Sequence, residues 1–114
     1  MPSVFHNLRG AAAAVAAMLA CAAHANDIAC DAPATRASQI ICETALFSMG
    51  YQRIYADQQR LLKTGVISQA DIDTFRRQRD ACTSASCLDG VFSAWKQHLT
   101  DIGASQAGRQ RQAR

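Results

Sequence analysis

Groups able to do chemistry are scarce in this chain. Three histidines occur in 114 residues, and two of them, His6 and His24, fall within the first 25. The third, His98, sits among Lys96, Gln97 and Thr100 on a regular helical stretch, so a solvated histidine is expected there, without the positioned partner a general base needs. The acids Glu43, Asp57, Asp71, Asp73, Asp80 and Asp89 are scattered and show no paired-carboxylate signature. No Gly-rich phosphate loop appears, and no metal-ligand cluster at a recognised spacing. Alternation of apolar and polar residues is nowhere long enough to make a strand. The expectation is a protein that is not an enzyme and takes no cofactor or metal.

Long apolar runs are scarce as well. The longest, Gly10–Ala23, falls short of the roughly 20 residues that cross a bilayer as a helix, so no transmembrane segment is expected. It follows Arg9 and precedes Ala23-His24-Ala25, a small-x-small site, which together give the three regions of a secretory signal peptide. Residues 1–25 are read as that peptide, with cleavage after Ala25 and a periplasmic or secreted product. Lipidation at Cys21 is the alternative, after Leu19-Ala20, although a lipobox would want its large aliphatic residue at Met18.

Export simplifies what remains. Residues 26–114 are enough for one domain, and a domain of that size is only marginally stable without added constraints. Residues 26–102 carry 8 basic and 9 acidic residues, a net charge of −1. The basic character of the whole chain belongs to its two ends, which argues against nucleic acid as a partner. In Arg76-Arg77-Gln78-Arg79 the charges are offset by Asp71, Asp73 and Asp80, so a solvated helix face is expected. Four of the five cysteines lie beyond Ala25: Cys30, Cys42, Cys82 and Cys87. An even set in a short exported chain reads as two disulfides with three possible connectivities, and the spacings do not match paired zinc knuckles.

Periodicity places the elements. Asn26–Pro33 is a non-helical lead-in. From about Thr35 to Lys63 apolar residues recur at helical spacing, with interruptions, and Gly50 weakens the middle. Lys63-Thr64-Gly65 is a stop signal. Ser68 and Asp71, with Ile67 and Ile72 at staple positions, start a second helix that runs to about Cys82 with Phe75 inward. After the polar turn Thr83–Ser86, a third helix carries Leu88, Val91, Phe92, Trp95, Leu99 and Ile102 on one stripe. Residues 103–114 offer nothing to bury and read as a disordered basic tail. The fold expected is all-α, a small antiparallel three-helix bundle stapled by two disulfides.

One segment is distinctive. Phe75, Arg79-Asp80-x-Cys82, a short gap, Cys87-Leu88, and Phe92 a turn later form a pattern, with Cys30 and Ile41-Cys42 upstream. In these positions the chain resembles the LprI-like lysozyme-inhibitor family of small exported bacterial proteins, over about Ile28 to Leu99. It departs from the family at Gly50-Tyr51, where Leu-Asp is usual, and at Trp95, where a basic residue is usual. With this resemblance, the pairing Cys30–Cys42 and Cys82–Cys87 is preferred, and the crossed pairing stays open. The resemblance implies a binding protein whose partner is a lysozyme-like cell-wall hydrolase. Arg79, Asp80, Thr83, Ser84 and Ser86 are then the binding candidates. The competing reading of Arg79 and Asp80 is a helix-end charge and a local ion pair. The competing function is an envelope structural or interaction protein without inhibitory activity.

Overall fold

The structure, a computed structural model, describes residues 26–113. The expected signal peptide, its cleavage site and the lipidation alternative at Cys21 lie outside the described residues. Those residues form four helices and no strand: α1 (Arg36–Glu43), α2 (Ala45–Lys63), α3 (Gln69–Asp80) and α4 (Ala85–Gln112). The all-α expectation holds, but three helices become four because the first one breaks.

The break falls at Thr44, not at Gly50. Thr44 is extended, with φ −115° and ψ 112°, so α1 ends at Glu43 and α2 starts at Ala45. Side-chain phase explains it. Ile40 and Ile41 are the apolar residues α1 buries, and Tyr51, Ile54 and Gln58 are buried from α2. At about 100° per residue, a continuous helix would point Ile41 and Tyr51 roughly 80° apart and turn Thr44 and Ala45 inward. Breaking at Thr44 lets both sets reach one core. The short α1 thereby becomes the hub of the fold, packed against each of the other three helices.

The starts of α1, α3 and α4 and the end of α2 are specified locally, whereas Thr44 makes no side-chain capping bond to α2. Thr35 Oγ1 accepts from the Ser38 amide at 3.0 Å and caps α1. The C-terminus of α2 closes with Gly65 in the left-handed region, at φ 75°. Gly65 N–H donates to Leu62 and Val66 N–H to Leu61, the two bonds of a Schellman stop. Ser68 and Asp71 form the anticipated capping box on α3, and the staple residues Ile67 and Ile72 are both buried. Ser84 Oγ accepts from the Cys87 amide and caps α4, so Ala85 and Ser86 belong to that helix and not to the turn.

The core is aromatic at its centre. Tyr51 from α2, Phe75 from α3, and Phe92 and Trp95 from α4 are buried, and the Tyr51, Phe75 and Phe92 rings stack with centroids 6.1–6.3 Å apart. Leu88, Phe92 and Trp95 are the buried members of the α4 stripe, with Val91, Leu99 and Ile102 partly buried beside them. The expected disordered tail is corrected: α4 continues through Gly103 and Gly108 to Gln112. Alanine, glutamine and arginine are good helix formers, and a helix already nucleated and packed upstream extends at one hydrogen bond per residue. None of residues 103–112 is buried.

Two disulfides pin the ends of the core. Cys30–Cys42 and Cys82–Cys87 are bridged, each with Cα atoms 5.5 Å apart, and the crossed pairing is excluded. The first ties the lead-in to α1. The second clamps the end of α3 to the start of α4.

Candidate functional site

The pairing Cys82–Cys87 closes a short turn at the junction of α3 and α4. Thr83 and Ser84 are exposed on it, and Ser86 is exposed beside it in the first turn of α4. Ser84 is committed to capping α4, which leaves the hydroxyls of Thr83 and Ser86 facing solvent with no protein partner among the described hydrogen bonds. The backbone entering the turn is fixed too, since the Cys82 amide donates to the Arg79 carbonyl at 3.1 Å.

Beneath the turn lies an ionic network. Arg79 is only 5% exposed. Its Nε and Nη2 donate to the two carboxylate oxygens of Asp80 at 2.9 and 3.3 Å. Its Nη1 donates to the Tyr51 hydroxyl oxygen at 2.6 Å and to Asp27 Oδ2 at 3.0 Å. The Tyr51 hydroxyl in turn donates to Asp27 Oδ1. Arg76 Nε adds a charge contact 3.5 Å from Asp27 Oδ2, without the geometry of a hydrogen bond. One buried guanidinium therefore joins the lead-in, α2 and the end of α3.

The electrostatics agree with the geometry. Burial alone would push the Asp27 carboxyl upward, but the hydrogen bonds from Tyr51 and Arg79, with the charges of Arg79 and Arg76, hold it below its ordinary value. Burial and the Asp27 carboxylate push the Tyr51 hydroxyl well above its ordinary value. Arg79 is desolvated, yet its bonds to Asp80 and Asp27 and the neighbouring Tyr51 keep it firmly charged. A fixed cation between two carboxylates is a structural brace, because the shifts of Asp27, Tyr51 and Arg79 all run away from neutrality.

This arrangement sorts the residues picked from sequence. Asp80, Thr83, Ser84 and Ser86 are brought together around the disulfide-closed turn. Arg79 belongs to the same neighbourhood but faces inward, its guanidinium bonded to Asp80, Asp27 and Tyr51; the local ion pair with Asp80 is present. The arginine run is not one solvated face. Arg77 is exposed and donates to Thr74, Arg76 is half-covered beside Asp27, and Arg79 is buried. Sequence reasoning missed Asp27 and Tyr51. Asp27 lies 52 residues from Arg79 in a lead-in without periodicity, so only the placement of Cys30, three residues on, hinted that this segment is held.

Two grooves flank α4. A smaller one, about 250 Å³, lies against α3 and is lined by Asp71, Thr74, Gln78, Trp95 and His98 among others. His98 is exposed, as expected, and its ring stands 5.6 Å from that of Trp95. A larger one, about 660 Å³, runs between α2 and α4 over Phe47, Gly50, Phe92 and Leu99. Among the described residues no group of three or more His, Cys, Asp or Glu is placed to hold a metal ion. Among the same residues no helix is long and apolar enough to cross a membrane. Compared with models of known families, with curated proteins and with solved structures, the chain matches none.

Proposed function

We propose that this protein is an exported binding module that acts by occupying a partner's surface, and that the partner is a cell-wall hydrolase of the lysozyme type. One observation carries the binding reading: the Cys82–Cys87 bridge holds Thr83, in the turn, and Ser86, at the start of α4, both exposed to solvent on a base braced by buried Arg79. A loop already held in one conformation loses little entropy on association, which is how small disulfide-framed proteins bind well through modest surfaces. Export is part of the proposal, since two disulfides suit an oxidising compartment. The partner class comes from the resemblance of Phe75, Arg79-Asp80-x-Cys82, Cys87-Leu88 and Phe92 to the LprI-like pattern.

With Arg79 occupied inside, contact with a hydrolase falls to Asp80, Thr83 and Ser86. Asp80 keeps a side-chain exposure of 38% and offers one carboxylate edge to a basic enzyme. The test is a turbidity assay of wall lysis with residues 26–114. Saturable slowing of lysis near a one-to-one ratio supports the proposal, and full lysis at large molar excess overturns it. A second reading, an envelope interaction protein without inhibitory role, draws on the domain's net charge of −1 over residues 26–102, weak for steering toward a strongly basic enzyme. Recovery of a non-hydrolase partner from an envelope extract would favour it.

A further inference from the structure

The turn does not account for the exposed apolar surface among the described residues. Leu46 and Met49 are the exposed large hydrophobic side chains among the described residues, at 80% and 70%. They stand three residues apart, one helical turn, on the outer face of α2, and both border the larger groove between α2 and α4. Gly50 lines that groove beside the Phe92 ring, where a Cβ would make only an ordinary contact at 3.8 Å. Protruding side chains and a hollow of about 660 Å³ thus sit side by side on one face.

We propose that a second copy of this chain covers this face, through a twofold interface in which Leu46 and Met49 of each copy enter the groove of the other. A twofold interface uses the same patch on both partners, so the patch must contain both the protrusion and the hollow. This one does. The rim satisfies the same requirement in charge. It carries two cations, Arg53 and Lys96, and two anions, Asp57 and Asp89. Of these only Asp57 has an ion-pair partner among the described residues, exposed Arg60 at 3.2 Å. The rim thus holds both signs, so a twofold axis can set Arg53 or Lys96 of one copy against Asp89 of the other, and it gives little net attraction to a strongly acidic or basic partner. An anionic lipid surface would select an excess of Lys and Arg around the apolar pair, which this face lacks.

The test is the mass of residues 26–114, whose described part has its own core and both disulfides, by sedimentation equilibrium across micromolar to millimolar concentration. Wild type is expected to shift from one to two copies over that range. Leu46→Glu with Met49→Glu should weaken association at least about a hundredfold, the combined effect of two interface anchors per copy. Both positions are exposed, so helicity and thermal midpoint should stay at wild-type values, which separates a lost interface from a lost fold. A wild type that stays monomeric throughout overturns the proposal. So does a double variant that dimerises as well as wild type, or a wild type whose Leu46 face binds anionic vesicles instead of itself. Thr83 and Ser86 variants should leave the mass unchanged, so this proposal and the hydrolase reading stand or fall separately.

Discussion

Replacing Asp27 by Asn probes the brace under the turn with the least change of shape. In the folded protein Asp27 meets Arg79 at 3.0 Å and Arg76 at 3.5 Å, and it accepts the Tyr51 hydroxyl. Breaking a buried pair costs about 3–5 kcal/mol, and an exposed one about 0–1 kcal/mol. Asp27 lies between these limits: its side chain is 21% exposed, and Arg79 keeps Asp80 when Asp27 is neutralised. A loss of about 2 kcal/mol at pH 7 is expected, which for a domain of this size lowers the thermal midpoint by about 8–16 °C. The effect should also depend on pH with a definite sign. Because the folded protein holds the Asp27 carboxyl below its ordinary value, the unfolded chain binds the proton first as pH falls. The stabilisation is therefore complete above the ordinary carboxylate range and is lost as pH falls through the depressed folded value. The Asn variant lacks this contribution at every pH. Asp71, held down by its capping bonds to Ser68, adds an acid-side loss to both proteins and cancels in their difference. Urea unfolding of both proteins from pH 7 to pH 2.5, disulfides intact, measures that difference. A gap below 0.5 kcal/mol at pH 7, on the order of an exposed ion pair, or a gap that does not narrow in acid, would refute the reasoning.

Other consequences follow from single residues. Gln58 is fully buried with both amide atoms unpartnered, so Gln58→Leu should raise stability by about 1 kcal/mol in the same unfolding measurement; a loss of stability would mean the amide is satisfied. Gly65→Ala should cost about 1 kcal/mol, since a Cβ at φ 75° is strained even with open space around it. Replacing Cys30 and Cys42 by Ser opens a bridge with a sequence separation of 12, and about 3 kcal/mol should be lost. That loss should be less than additive with Asp27→Asn, because the same bridge holds the lead-in that carries Asp27. Additivity within 0.3 kcal/mol, the usual tolerance for independent sites, would show that the two constraints act separately.

Local signals made most of the fold legible in the sequence. Ser68 and Asp71, the staple of Ile67 and Ile72, the stop at Gly65 and the stripe from Leu88 to Ile102 each depend on neighbours within a few residues. The sequence was misleading where distant parts decide. The interruptions between Ile41 and Ile54 were visible, but the break at Thr44 depends on aligning α1 and α2 toward a core shared with α3 and α4. The tail read as disordered from its composition, yet it extends a helix started by packing some twenty residues earlier. In the candidate site, Asp80, Thr83, Ser84 and Ser86 were found because the cysteines frame them. The local ion pair of Arg79 with Asp80 is legible in the sequence, but the inward partners Asp27 and Tyr51 are not, because they lie 52 and 28 residues away. Tyr51 was already conspicuous as a departure, standing where the resembled family usually has an acid; here its hydroxyl touches Arg79 and the lead-in supplies the acid.

The proposed function assigns hydrolase binding to the segment closed by Cys82–Cys87. The most direct measurement compares residues 26–114 with the same protein carrying Thr83→Arg and Ser86→Arg in a wall-lysis assay, after matching thermal midpoints. Both positions are exposed and neither supplies a cap, so folding should be unaffected. The account predicts that wild type slows lysis near a one-to-one ratio and that the double variant does not. Equal inhibition by both proteins, or lysis unaffected by either, would contradict it.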